Sequence, residues 1–149
     1  SFYYKKGTYR LRVHPKSLNR LKDKVREVTN RNVSMNFETR LKKLIEKTRG
    51  WVNYFKLADM SKSLKEMDGW IRRRLRACIW KTWKKIRTRF TSLNKLGIDR
   101  NKAWEFANTR KGYWRISNSP IMQRSITNER LEKRGYVSMS TMYKKVILA

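Results

Sequence analysis

The stretch GWIRRRLRACIWKTWKKIRTR, residues 69–89, contains no acidic residue, while three tryptophans lie among its Lys and Arg side chains. Like charges four residues apart on a helix repel each other, by about 0.2–0.5 kcal/mol per pair. We expect this cost to be offset when a polyanion such as a phosphate backbone supplies the missing negative charge. The stretch therefore predicts a nucleic-acid-binding surface.

The same stretch belongs to a longer amphipathic pattern. From Ser63 onward apolar side chains recur at about 100° per residue, and Ser63 with Glu66 forms a capping-box pattern. The apolar stripe comprises Leu64, Met67, Ile71, Leu75, Cys78, Thr82 and Ile86. The pattern predicts one continuous helix whose apolar stripe faces a core and whose opposite face is cationic.

The composition supports a nucleic-acid partner. The chain of 149 residues has 39 Lys and Arg against 11 Asp and Glu, a formal net charge of +28. With 39% hydrophobic and 12% aromatic residues it can form a core. No apolar run reaches the ~18 residues of a membrane span, and SFYYKKGTYR at the N-terminus has no apolar signal-peptide region. We therefore expect a folded nucleic-acid-binding chain without a membrane partner.

Three successive amphipathic segments predict a small helical bundle. The first begins at Pro15, a residue suited to the first turn of a helix, and the second near Phe37. The helix from Ser63 completes the bundle. Before it, residues 1–14 alternate as in a β-hairpin that turns at Lys6–Gly7. Because a lone hairpin is marginal in water, we expect it to belong to a larger sheet and the chain to be a fragment.

The predicted elements beyond the bundle are shorter. Asp99 can cap a short helix, and TRKGYWRISNSP, residues 109–120, is typical of a structured loop. Ser119–Pro120 predicts a further helix that ends near Gly135, whereas residues 136–149 show no decisive pattern. The predicted fold class is mostly α: a three-helix bundle preceded by a short β-hairpin and followed by a small helical extension.

Residues for catalysis or metal binding are sparse. One histidine, His14, and one cysteine, Cys78, cannot form a zinc site, which needs a cluster of such ligands. No pair of aspartates indicates a two-metal centre, and the glycines form no phosphate loop. The single cysteine permits no internal disulfide and fits a reducing compartment. We expect the chain to bind and not to catalyse, with no cofactor and no metal site of its own.

The residues predicted to contact nucleic acid lie in two blocks. The helical block, predicted to bind RNA, comprises Arg72, Arg73, Arg76, Trp80, Lys84, Arg87 and Arg89. The second is a loop that Gly112 allows close to a nucleic-acid backbone. Its candidates are Arg110, Lys111, Tyr113, Trp114 and Arg115.

The aromatic residues leave alternatives open. Trp80 can stack on a base, or a second packed layer can bury it. Likewise, Tyr113 and Trp114 can contact nucleic acid or can pack their loop onto the bundle. Trp83 is better explained as packing, and the remaining tryptophans of the bundle, Trp51 and Trp70, as core or domain-interface residues.

Several aromatic-anchored blocks resemble the C-terminal part of bacterial group II intron-encoded proteins, the reverse transcriptase/maturases. The blocks are RLRVHPKS (10–17), RGWVNYF (49–55), WIRRRLR (70–76), WKTWKKIRTR (80–89), LGI (96–98), ANTRKGYWRISNSP (107–120) and ITNERLEKRGY (126–136). They occur in the family's order and at its spacings. The resemblance covers nearly the whole chain.

The resemblance implies a role for each segment. Residues 1–14 are similar to the last hairpin of the polymerase palm, 15–95 to the thumb or maturase domain X, and 96–149 to the DNA-binding region. In the family, thumb and X bind intron RNA, promote its folding and splicing, and grip template–primer during reverse transcription. The expected partners are group II intron RNA, template–primer or target DNA, and the N-terminal fingers and palm. The expected localisation is the bacterial cytoplasm.

The catalytic parts implied by the family lie outside this sequence. The palm aspartates of the RNA-directed DNA polymerase are absent, so Mg²⁺ is expected for the palm and the intron ribozyme but not for this chain. Many members have Pro where Ile86 stands, so a kink is not assured here. No Cys-rich HNH endonuclease segment follows Tyr136, which favours an endonuclease-lacking lineage over a chain that stops early.

Other functions compatible with the sequence are kept as alternatives. The same module can serve as the thumb of a domesticated or CRISPR-associated reverse transcriptase. A structural RNA-binding protein of ribosomal type would share the basic composition, but it gives no reason for the hairpin. A membrane-active helix at residues 69–89 is disfavoured because its narrow apolar face is needed by the bundle.

Overall fold

A computed structural model describes residues 2–5 and 8–148. Two short strands, β1 (Phe2–Lys5) and β2 (Thr8–Leu11), pair antiparallel. The turn predicted at Lys6–Gly7 lies outside the described residues. The other regular elements of the described chain are α-helices, so the prediction of a mostly α fold is confirmed.

Two long helices begin where the sequence predicts. Helix α1 (Pro15–Val28) has Pro15 in its first turn, and the His14 side chain accepts a hydrogen bond from the backbone N–H of Lys16. Helix α2 (Phe37–Phe55) follows Asn36, whose side-chain oxygen accepts from the N–H of Glu38. Both caps satisfy amide groups that a helix start leaves unpaired.

The third helix differs from its prediction at both ends. Helix α3 (Ser61–Thr82) starts two residues before Ser63, and no side chain caps it, so the predicted capping box is wrong. It ends at Thr82, and helix α4 (Ile86–Lys95) follows after a short break. The prediction of one helix through residue 89 is therefore wrong.

Side-chain hydrogen bonds accompany the break between α3 and α4. The Thr82 hydroxyl donates to the carbonyl of Ile79 at 2.6 Å, and the Arg89 Nε donates to the carbonyl of Trp83 at 2.9 Å. Because these bonds use carbonyls at the helix end, the change of direction leaves them satisfied. Thr82 and Ile86, predicted to lie in the core, are exposed as a result.

Five short helices complete the chain. They are α5 (Arg100–Ala107), α6 (Tyr113–Ser117), α7 (Pro120–Ser125), α8 (Asn128–Lys133) and α9 (Met139–Leu148). The predicted loop at residues 109–120 thus contains a helix, and the single helix predicted from Pro120 is two. The predicted start and end of this helical segment are correct. The Ser119 hydroxyl caps α7, and Gly135, at φ +115°, follows α8.

One hydrophobic core joins the early and late parts of the chain. Leu64, Ile71 and Leu75 of α3 are fully buried, in the same cluster as Met122 and Met139. Helix α3 packs against α6 and α9, and its Arg74 and Cys78 side chains donate to Thr29 at the end of α1. It is therefore covered on more than one side, which explains why its buried residues exceed the single predicted stripe.

A buried carboxylate fastens the last helix to α3. Asp68 is 2% exposed and accepts hydrogen bonds from the backbone N–H groups of Met139, at 2.8 Å, and Ser140, at 3.1 Å. The Ser140 hydroxyl, at 2.7 Å, and the Tyr136 hydroxyl, at 3.4 Å, donate to it too. Asp68 thus caps α9 from a distant element, where a negative charge is favourable. Burial, with the nearby Asp68 charge, raises the pKa of Tyr136 far above its usual value.

Candidate nucleic-acid interface

Two arginines predicted to bind RNA hold the fold together. Arg76 is 6% exposed; its Nε donates to the carbonyl of Ile126 at 2.8 Å, and its Nη2 donates to the side-chain oxygen of Asn128 at 2.9 Å. Arg73 donates to the carbonyl of Trp114 at 2.9 Å. Burial lowers the pKa of Arg76, and the charge of Arg72 adds to this effect. The assignment of Arg76 to RNA contact is corrected, because α7 and α8 cover it.

Trp80 requires the same correction. The ring is 1% exposed, so no base can stack on it, and the alternative of burial by a second layer is the right one. Trp83 packs edge-on against Trp80, with ring centroids 5.8 Å apart. The Arg89 guanidinium lies 4.7 Å from the centroid of the Trp80 ring. Arg89 is therefore engaged in the break, although part of its side chain remains accessible.

The other predicted cations are accessible to different degrees. Arg72 is half-buried, and within the described part of the chain its Nε is buried without a hydrogen-bond partner. The remaining cations are exposed: Lys84, Arg87, Arg110, Lys111 and Arg115. Tyr113 and Trp114 are half-buried, and their segment is a helix packed on α3. Packing and accessibility thus coexist in these two rings.

Three half-buried rings and five cations meet on one side of the molecule. The Trp114 centroid lies 3.8 Å from the Arg73 guanidinium and 5.9 Å from that of Arg74. The Tyr113 centroid lies 5.4 Å from the guanidinium of Arg31. We name this the aromatic–cation surface: Lys22, Arg26, Arg31, Trp70, Arg73, Arg74, Tyr113 and Trp114.

Trp70 is the other aromatic centre of the aromatic–cation surface. Lys22, Arg26 and Arg74 surround its ring at 5.7, 5.3 and 5.6 Å from the centroid. Such distances fall within the range of cation–π contacts. Trp70 is half-buried, so it packs against the core and also presents part of its ring outward.

Hydrogen bonds fix the cations of the aromatic–cation surface. The Arg74 Nε donates to the Thr29 hydroxyl at 2.7 Å, next to the end of α1. Burial lowers the pKa of Arg74, and the positive charges of Arg26 and Arg31 lower it further. Asp23 pairs with Arg26 at 2.9 Å through two largely exposed side chains, a contact of little energy. The surface is therefore strongly positive and preorganised for anionic, π-rich ligands.

Sequence reasoning identified part of the aromatic–cation surface. Arg73, Tyr113 and Trp114 were predicted, and the structure brings them together. The cations from α1 and the segment after it were not predicted, because nothing local indicates that α1 lies beside Trp70. The one available signal was the four-residue spacing of Lys22 and Arg26, which places them on one helix face.

Other kinds of site find no support in the described residues. Within 2–5 and 8–148, no group of three or more His, Cys, Asp or Glu could hold a metal ion. The helices of the described chain include none with the length and apolar character to cross a membrane. Cys78 is buried and donates to the carbonyl of Thr29, and burial raises its thiol pKa.

The fold is a basic helical module, and its aromatic–cation surface suits an anionic ligand. Residues 18–97, more than half of the chain, match the family described as group II intron, maturase-specific domain. The chain therefore belongs to this family, as the resemblance indicated. Membership gives it a role in group II intron maturation, which implies binding of intron RNA and a part in splicing. A comparison with curated proteins finds no match.

Proposed function

We propose that the chain binds group II intron RNA through the aromatic–cation surface and thereby promotes folding of the intron into its splicing-active form. The observation that carries the proposal is the convergence of three accessible rings with five cations. Cations neutralise phosphates without regard to sequence. Partly exposed rings add stacking on unpaired bases, which is the common mode of recognising folded RNA.

The proposal extends to the parent protein. Residues 1–14 would continue a polymerase palm, 15–95 would act as its thumb, and 96–149 would contact template–primer or target DNA during intron mobility. In this arrangement the polymerase aspartates and their Mg²⁺ belong to the palm. The chemistry of splicing and its own Mg²⁺ belong to the ribozyme, so this chain contributes binding energy alone.

A salt titration with two RNAs tests the proposal. Binding of the full chain to a folded group II intron RNA is compared with binding to an unrelated structured RNA of equal length. Both affinities should fall steeply with salt, because counterion release does not depend on sequence. The intron RNA should remain tighter by about tenfold, equivalent to ~1.4 kcal/mol. Coincident curves would refute specific recognition by this chain.

Two substitutions locate the binding to the aromatic–cation surface. Arg31→Ala removes a cation whose contact is a ring, and Trp114→Ala removes a ring while keeping the carbonyl that Arg73 binds. Each should weaken intron RNA binding by about three- to tenfold. Arg124→Ala, an exposed cation on α7 outside the surface, is the matched control. Equal effects of all three variants would contradict the assignment.

A further inference from the structure

A second basic groove lies between α1 and α2. Arg20 and Lys24 of α1 form one wall, Lys47 and Tyr54 of α2 form the other, and Gly50 lies between them. The groove has a volume of about 540 Å³, within the range of binding pockets, and it is open to solvent. None of these residues belongs to the aromatic–cation surface.

The two surfaces lie on opposite flanks of α1. Lys22 and Arg26, which contact Trp70, are four residues apart on one flank. Arg20 and Lys24 are also four apart, and at 3.6 residues per turn they point about 160° away. The buried Leu21 and Val25 lie between the flanks and face the core. A ligand in the groove therefore does not compete with one on the aromatic–cation surface.

The aromatic residues of the groove are unusually accessible. Tyr54 is 82% exposed, although a tyrosine normally covers much of its ring. It stands edge-on to Phe55, with centroids 4.8 Å apart, and Phe55 packs on Trp51 at 4.7 Å. Phe55 therefore contacts the Tyr54 ring, and most of the Tyr54 side chain stays accessible. An exposed ring beside cations is the arrangement on which an unpaired base stacks.

The groove combines three cations with one acceptor that could distinguish RNA from DNA. Three cations, Arg20, Lys24 and Lys47, suit a phosphate backbone. One carboxylate, Glu46, lies on the same rim. It repels phosphate, but it can accept a hydrogen bond from a ribose 2′-hydroxyl, which only RNA offers.

Gly50 keeps the groove open. A Cβ built at this position meets nothing within 4 Å, so no packing against the protein requires glycine here. Glycine in a helix interior is unfavourable relative to residues with side chains. The missing side chain leaves space over α2 in which a ligand of the groove can approach the backbone closely.

We propose that the α1–α2 groove binds a single-stranded RNA segment, with phosphates on its three cations and a base on Tyr54. The chain would then hold two RNA segments at once, a folded one on the aromatic–cation surface and an unpaired one in the groove. The inference rests on the proposed function only in that its occupant is RNA. It adds a separate site and a strand-bridging role.

Site-directed crosslinking tests the groove. The full chain is irradiated with a short single-stranded RNA that carries one thiouridine. The salt concentration is chosen to suppress general electrostatic binding. Crosslinked peptides are then identified by mass spectrometry. Crosslinks should concentrate at residues 47–55. Gly50→Leu fills the groove and should abolish them, with affinity reduced by about tenfold. Crosslinks spread evenly over the basic surface would overturn the proposal.

The chain supplies a matched control for this variant. Gly69 is a second exposed helical glycine with nothing within 4 Å of a built Cβ, and it lies outside the groove. Leucine forms helix better than glycine, so neither exchange should lower the melting temperature. Gly69→Leu should keep the groove crosslinks. Equal crosslinking by the two leucine variants would refute the site.

Two further comparisons distinguish failure of the groove proposal from failure of the proposed function. DNA of the same sequence should crosslink more weakly than RNA, and Glu46→Ala, which removes the acceptor, should remove the difference. Equal crosslinking of RNA and DNA by the unmodified chain would overturn the assignment to RNA. The proposed function is tested separately, by measuring how the Arg31→Ala and Trp114→Ala variants bind folded intron RNA. If those variants bind normally while Gly50→Leu loses its crosslinks, the proposed function fails and the groove stands.

Discussion

The two ends of the basic stretch 69–89 use the same charge in opposite ways. Near its start, the half-buried Arg73 and the buried Arg76 donate to the carbonyls of Trp114 and Ile126. Near its end, Lys84 and Arg87 are exposed. The boundary is the break after Thr82, where the covering helices α6–α8 give way to solvent. Position relative to these helices, and not local charge, decides which cations of the stretch are exposed.

Arginine–carbonyl bonds also occur outside this stretch, and they explain how the chain tolerates so few acidic residues. Carbonyls at helix ends carry partial negative charge, and a guanidinium can bind two of them in fixed geometry. Arg40 donates to the carbonyls of Val28, Asn30 and Val33 around the end of α1, and Arg130 binds those of Leu96 and Ser125. Backbone carbonyls thus take the place of carboxylates.

The largest expected effect on stability comes from removing the Arg76 contacts at the buried end. Arg76→Ala leaves the Ile126 carbonyl without its charged donor inside the protein, and it should lower the free energy of unfolding by about 3 kcal/mol. Chemical denaturation measures the change. Arg87→Ala is the control from the exposed end and should change it by less than about 0.5 kcal/mol. Equal stabilities would show that the Arg76 contacts contribute nothing.

A smaller effect measures the coupling between helix and loop. In a double-mutant cycle, Arg73→Ala and Trp114→Ala should show an interaction free energy of about 1 kcal/mol, because the guanidinium lies 3.8 Å from the ring centroid. The carbonyl bond to Arg73 is lost in both Arg73 variants and therefore cancels. Strictly additive changes in stability would mean that the contact between Arg73 and the Trp114 ring contributes no free energy.

Substitutions at the exposed end should change RNA binding and leave the stability of the fold unchanged. Arg87→Ala should weaken intron RNA binding by about threefold and reduce the slope of log affinity against log salt by about 1, since one phosphate contact is lost. The titration described above measures both. An unchanged slope, with the same change made at Lys84 also silent, would remove this end from the RNA-binding surface.

The smallest effect tests the break itself. Lys85, at φ −101° and ψ 149°, already has the extended conformation that precedes a proline, and Ile86 is the first residue of α4. Ile86→Pro should therefore change stability by less than about 0.5 kcal/mol. Ile79→Pro, inside α3, should cost about 3 kcal/mol or more. Similar losses for both would contradict a helix break after Thr82.

Most local signals were interpreted correctly, with the Ser63–Glu66 capping box as an exception, and the long-range ones were not. The helix starts at Pro15 and Phe37 and the stop at Gly135 depend on neighbouring residues, so the sequence predicts them. The break after Thr82 contains no Gly or Pro, and it is accompanied by a bond from Arg89. Trp80 is 1% exposed, and its ring contacts are with Trp83 and Arg89, which come later in the chain. A helical wheel of α3 alone cannot reveal this second cover.

The candidate binding surfaces divide in the same manner. Charge composition predicted a nucleic-acid partner, and family membership supports it. Which cations remain free could not be predicted, because the partners of the buried arginines are backbone carbonyls that no side-chain pattern reveals. The groove beside Gly50 was missed for a related reason: its walls come from two helices whose relative placement is set by the core.

The buried Asp68 has a consequence for how the protein is made. Its donors Met139 and Ser140 follow 71 and 72 residues later in the chain. At a ribosomal rate of about 5–20 residues per second, Asp68 waits roughly 4 to 14 s for them. During that interval α3 has already been synthesised with an uncompensated carboxylate and an uncovered apolar side. The nascent chain therefore exposes apolar surface of α3 until α9 has been synthesised, and such surface favours aggregation.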